Sequence, residues 1–232
     1  MSYFGGYGLY FLFALPALLL GFWAQYKVQS AYKKYSQVRT SNGLTGAEIA
    51  RRILDSSHLD DVQIAQVSGT LSDHYDPSKR ILSLSQGVFG SNSIAAAGVA
   101  AHESGHAIQH KENYGPLALR SLMVPSVQIG SWLGPIVFIG GMLLNSSNLA
   151  LVGLILFSAT AVFTIVTIPV ELDASRRAKE MLASTGLAYG SEVEGVSKVL
   201  DAAALTYVAG AIQALSTLLY YVFLFMGNRR RN

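Results

Sequence analysis

His102-Glu103-Ser104-Gly105-His106 reads H-E-x-x-H. On a helix, residues four apart share a face, so both imidazoles can reach one zinc ion from the same side. Glu103 then lies beside that ion, where a carboxylate can take the proton of a zinc-activated water. This is the chemistry of peptide-bond hydrolysis. With 5 His and 7 Glu in 232 residues, coincidence would place the pattern in about 0.3% of such chains, and it counts only in a helical context. That context is present. The stretch Ile94 to Ala101 is Ala-rich and free of charge, and Ser91-Asn92-Ser93 offers N-cap residues just before it. Two histidines and a carboxylate in an apolar helix need partners, and one metal ion serves all three. The alternative is a helix carrying two ordinary hydrogen-bonded histidines.

A catalytic zinc usually has three protein ligands and one water. The chain has no cysteine, so the third ligand must be His, Asp or Glu. Glu171 leads. It ends an unbroken charge-free run from Ser121 to Val170 and opens the stretch Glu171-Leu-Asp173-Ala-Ser-Arg-Arg177. Asp173 is the next choice, or it accepts a hydrogen bond from a ligand imidazole. His110 continues the His102/His106 face but lies eight residues from His102, a rise of about 12 Å. One ion cannot bridge that, so His110 reads as a surface or membrane-edge residue.

The elements that must position these residues are mainly apolar. Hydrophobic residues make up 51% of the chain and charged residues 13%, about half the usual charged share. Mean hydropathy is +0.36. The expected fold class is mainly α and integral to a membrane, with about four transmembrane helices and a small β-sheet or hairpin. The spans fall at about 3–26, 121–144, 149–170 and 202–227, each close to the 20 or so residues a bilayer needs. Asn145-Ser-Ser-Asn148 reads as the turn between the middle two. Polar regions at 27–120 and 171–201 complete a single membrane-embedded domain, 1–232.

Within the first polar region, Lys27 to Arg39 extends the first helix with basic residues. Thr45-Gly-Ala-Glu48 has capping-box spacing and opens an amphipathic helix through Ile49, Ile53 and Leu54. Val62–Val67 and Arg80–Ser85 read as strands, with Asp73-His-Tyr-Asp-Pro77 as a turn between them.

The first apolar segment has no positive charge ahead of it, so it reads as an anchor rather than a cleaved leader. With the N-terminus outside, 14 Lys and Arg fall inside and three, Arg229 to Arg231, outside. The positive-inside rule then puts the chemistry on the cytoplasmic side of the membrane. The net charge of +3 flanks hydrophobic segments as topology requires, which argues against nucleic acid as a partner. The expected partners are a protein or peptide substrate and the lipid bilayer.

The segments His102-Glu-Ser-Gly-His-Ala-Ile-Gln109, Glu171-Leu-Asp-Ala-Ser-Arg-Arg-Ala178, Ser72-Asp-His-Tyr-Asp-Pro77 and Ala202-Ala-Ala-Leu-Thr-Tyr-Val-Ala209 carry a resemblance over nearly the whole chain. It resembles the YugP-type bacterial membrane-bound neutral zinc metallopeptidases. More distantly it is similar to the HtpX and CAAX-prenyl peptidases. The resemblance implies a gluzincin-like core, one zinc per chain, and Glu171 as the third ligand. One departure stands out: the distant relatives often carry Asp four residues after the ligand Glu, where this chain has Ser175.

For catalysis, His102, His106 and Glu171 are the expected metal ligands and Glu103 the expected base. Tyr207 is a candidate oxyanion donor, although an interfacial tyrosine is often just part of an aromatic belt. His74 and Tyr75 are alternatives. Arg80–Ser85 is the candidate strand edge for pairing with an extended peptide. Arg176 and Arg177 could bind a substrate carboxylate or simply flank a span. The competing function is a non-enzymatic membrane protein whose structural zinc site serves partner binding. A structural zinc is normally closed by four protein ligands, and only three good ones are found. A transporter is disfavoured because the central spans carry no ionisable residue for coupling.

Overall fold

The computed structural model describes the backbone of residues 3–229 and the side chains of residues 11–227. In chain order the elements are α1 (Tyr3–Tyr35), α2 (Gly46–Ser56), β1 (Gln63–Val67), β2 (His74–Asp76), β3 (Ile81–Ser85), α3 (Gln86–Phe89), α4 (Ile94–Lys111), α5 (Gly115–Leu143), α6 (Ser147–Ser184) and α7 (Ser191–Arg229). Helices α1, α5, α6 and α7 are each long and apolar enough to cross a membrane, in agreement with the four expected spans. Each also runs past its apolar stretch. The tail arginines Arg230 and Arg231, and the side chain of Arg229, lie outside the described residues.

The chain divides into two compact units. One comprises Met1–Ala24, Leu119–Ile168 and Thr206–Asn232. Its surface is apolar: Leu122, Trp132, Ile136, Leu143, Ile155 and Phe223 are all exposed. In water that would be costly, whereas lipid tails solvate such side chains as well as a protein core does. Close helix contact replaces hydrophobic burial as the glue. A Cβ added to Gly153 would lie 2.2 Å from the Phe138 backbone nitrogen, and one at Gly141 would lie 2.2 Å from that of Ala150. The α5–α6 hairpin is therefore packed backbone to backbone. Phe138 stacks on Tyr221 with ring centroids 4.4 Å apart.

The second unit, Gln25–Ala118 and Pro169–Leu205, has a water-type core. Ile49, Ile53 and Leu54 of α2, Leu82 and Leu84 of β3, most alanines of α4, and Ala178 and Leu182 of α6 belong to one buried cluster. The expected capping box is present: Thr45 Oγ1 accepts from the Glu48 backbone N–H, and Glu48 returns the bond to the Thr45 N–H. The segment before α2 is tied to the α6–α7 connection by Asn42, which donates to Leu187 O, and to the first turn of α7 by the Ser41 N–H, which donates to Glu192.

Two strand expectations are corrected. His74–Asp76 is a strand and not a turn. Asp73 accepts from both the Ser85 N–H at 2.7 Å and the Ser85 hydroxyl at 3.0 Å, which fastens this segment to β3. The turn starts at Asp76, which accepts from the Ser78 and Lys79 N–H groups, and it ends at Arg80 with φ +54°. The second correction concerns β3. The sheet order is β1-β3-β2, with β1 parallel and β2 antiparallel to β3. Ile81–Ser85 is thus the central strand and offers no free edge to a peptide. Its residues Leu82 to Ser85 are all buried, as suits a strand covered on both faces.

Candidate metal centre

Helix α4 starts where Ser93 caps it, accepting from the Ala96 N–H at 3.2 Å. Nearly all of it is buried, including Glu103 and His106. Alanine and glycine let it pack this deeply. At Gly105, inside the H-E-x-x-H motif, an added Cβ would come within 2.7 Å of the Ala174 carbonyl oxygen. The absence of a side chain there brings α6 against α4. Glu171 lies one turn before Ala174 and so faces the two histidines.

The result is a three-residue donor cluster. His102 Nε2 lies 3.1 Å from Glu171 Oε2, and His106 Nε2 lies 3.6 Å from the same oxygen. The ligand atoms of the three residues all fall within 4.8 Å of one another. Ligands about 2.0–2.2 Å from a tetrahedral zinc ion stand about 3.3–3.6 Å apart; the His106–Glu171 separation of 3.6 Å lies at the edge of that range and the His102–Glu171 separation of 3.1 Å just below it. Glu171 is 2% exposed, a depth at which a carboxylate needs strong cationic partners. Burial disfavours charge on His106, yet the hydrogen bond to Glu171 and the negative charges of Glu103 and Glu171 outweigh it and hold the His106 pKa above its ordinary value. A field that favours an imidazolium also favours a dication at the same place.

The other face of each imidazole is held as well. His102 Nδ1 is 3.2 Å from Ser175 Oγ. His106 Nδ1 is 3.0 Å from Gln109 Oε1, and Gln109 Nε2 donates to Val170 O at 2.8 Å and to Asp173 Oδ2 at 2.9 Å. Asp173 accepts from Arg176 and Arg177, and Arg177 also pairs with Glu112 at 2.6 Å. Asp173 therefore reaches an imidazole only through Gln109. Ser175 takes the place beside His102.

His110 lies outside the cluster. Its Nδ1 meets the Tyr75 hydroxyl at 3.0 Å. His74 is exposed on β2 and its Nδ1 faces Ser72 O at 2.9 Å. Tyr207 lies on α7, beyond Leu205, in the apolar unit. The cluster consists of His102, His106 and Glu171, and it is the one metal-competent group of three or more such residues among the described residues. Sequence reasoning missed Gln109 and Gly105. The available signal for Gln109 was its position, three residues after His106 on the same face of a buried helix.

A family described as "Putative neutral zinc metallopeptidase" matches residues 10–226. The chain belongs to this family. Its cofactor is zinc, and His102, His106 and Glu171 are the group that could hold it. The chain is also 51% identical over 224 residues to a Bacillus subtilis protein called "Putative membrane protease YugP", covering 97% of this chain and 100% of that one. No solved structure matches the chain at a significant level. Membership and the four apolar helices make this a membrane protein of the metallopeptidase class.

Proposed function

We propose that this protein is an integral-membrane zinc endopeptidase of protein substrates, with its site toward the cytoplasm of a bacterial inner membrane. The observation that carries the reading is the convergence of His102, His106 and Glu171 within 4.8 Å, with Glu103 buried on the same helix. Three donors suit a catalytic ion, which keeps one position open for substrate or water. A fourth protein donor would suit a structural ion. Glu103 has no purpose in a purely structural site, so the partner-binding alternative is disfavoured.

In this reading His102, His106 and Glu171 hold the zinc. When bound, zinc acts as a Lewis acid that makes water a nucleophile near neutral pH and polarises a carbonyl. The Glu103 carboxylate accepts a proton from the attacking water and later donates it to the departing amine nitrogen as the C–N bond breaks. Ser175 and Gln109 keep the two imidazoles oriented. Tyr207 is the candidate hydroxyl donor for the oxyanion on the sequence reading alone. The cytoplasmic orientation rests on the distribution of Lys and Arg.

The test is zinc content per chain together with cleavage of an unfolded protein such as casein. Wild type should hold one zinc and cleave, Glu171→Ala should lose the zinc, and Glu103→Gln should keep it without cleaving. A Glu171→Ala protein that keeps its zinc would remove Glu171 from the site.

A further inference from the structure

We propose that Gln109 is a positioning residue for the metal centre, an amide relay that fixes the tautomer and angle of His106 and links it to Asp173 on α6. The inference rests on the zinc reading above. The chemistry of the amide leaves one arrangement. Gln109 Nε2 faces two oxygens, the Val170 carbonyl at 2.8 Å and Asp173 Oδ2 at 2.9 Å. Neither oxygen can donate, so the NH₂ group must sit on that side. The amide oxygen is then turned toward His106 Nδ1 at 3.0 Å. An amide oxygen only accepts, so the imidazole must carry a proton on Nδ1, which leaves Nε2, on the Glu171 side, as the nitrogen that can bind the zinc.

Burial makes this orientation binding. Gln109 is 0% exposed, so water cannot replace a lost partner, and a flipped amide would leave three mismatched contacts. Asp173 is itself fixed by Arg176 and Arg177. In many zinc sites a carboxylate orients the ligand imidazole directly. Here the carboxylate stands one residue further out, and Gln109 passes its orienting effect to His106. The same amide ties α4 to α6 beside the Gly105–Ala174 contact, so it also sets where Glu171 meets the histidines.

The test uses full-length protein in detergent, with zinc affinity measured by competition with a chromogenic chelator and thermal unfolding measured on the zinc-free protein. Gln109→Met keeps the volume and removes both hydrogen-bonding ends. Gln109→Glu keeps the acceptor for His106 but sets a carboxylate against Val170 O and Asp173. Each should weaken zinc binding of the folded protein about 10- to 100-fold, and zinc-free unfolding should also come earlier because buried partners of Gln109 are left unmatched. Adding Asp173→Asn to Gln109→Glu restores one donor facing residue 109, with Val170 O still unmatched, and should recover part of the affinity.

Wild-type affinity in a folded Gln109→Met protein would overturn the proposal. A drop in zinc-free stability with no change in affinity would reduce Gln109 to a packing residue and overturn it too. Should Gln109→Met fail to fold, the double variant decides: recovery supports the relay, and no recovery relative to Gln109→Glu overturns it. A wild-type protein that binds no zinc fails at the earlier step, since the metal reading itself then falls.

Discussion

Gly105 is the cheapest place to move the proposed third ligand, Glu171, without touching any of the three candidate ligands. An alanine Cβ there would lie 2.7 Å from Ala174 O and 3.3 Å from the Ala174 C and Cα atoms. Ordinary contact begins at 3.4 Å, so the helices must separate by about 0.7 Å, a displacement interiors resist because they are close-packed. All three atoms are backbone, so no side chain can swing aside. Glu171 moves with Ala174, one turn away on the same helix. Its separations from His102 and His106, now 3.1 and 3.6 Å, would grow by up to that amount, whereas metal sites tolerate about 0.2 Å. Zinc affinity should fall about 10- to 100-fold, or roughly 1.4–2.8 kcal/mol. Folding stability should change less. Overpacking costs about 1–3 kcal/mol, and replacing a mid-helix glycine by alanine returns about 1 kcal/mol. Gly98→Ala is the control. It gains the same helix propensity, but its Cβ comes closest to the Val196 side chain, at 3.3 Å, with the Val196 Cα at an ordinary 3.8 Å. Chelator competition on both variants reads the difference. A folded Gly105→Ala protein with zinc affinity within about threefold of wild type, some 0.6 kcal/mol, would refute the argument that this contact sets the ligand spacing.

Glu103→Gln should lower the cleavage rate by about 10²- to 10⁴-fold, the usual contribution of a general base, with zinc content unchanged by metal analysis. Tyr207→Phe should lower kcat by about 10²- to 10³-fold if its hydroxyl serves the oxyanion, whereas an aromatic-belt tyrosine would tolerate the change in a kcat measurement. His110→Ala should leave zinc at one per chain, because His110 pairs with Tyr75 and not with the cluster; loss of zinc would refute that placement. Gly153→Leu should lower the thermal unfolding temperature, since even a Cβ there meets the Phe138 backbone at 2.2 and 2.6 Å and overpacking costs about 1–3 kcal/mol. Zinc affinity of the folded fraction should not follow.

Much of the candidate site was legible in the chain alone because its logic is local. H-E-x-x-H places two imidazoles and a carboxylate on one helix by periodicity, and the charge-free runs mark the spans by length and composition. The Thr45–Glu48 capping box is likewise a four-residue pattern. The carboxylate Glu171 could be nominated from its place at the end of an apolar run, but only the packing of α6 on α4 brings it to 3.1 Å from His102. That approach depends on Gly105, whose role is invisible without its neighbour. Gln109 is similar. Its amide faces Val170 and Asp173, more than 60 residues away, and no spacing rule predicts that. The strand order was also beyond the sequence. Alternating polarity marks Ile81–Ser85 as a strand, yet pairing on both edges follows from where β1 and β2 land. Periodicity fixes which residues share an element's face, but long-range packing decides which faces meet, and therefore which buried polar groups become partners.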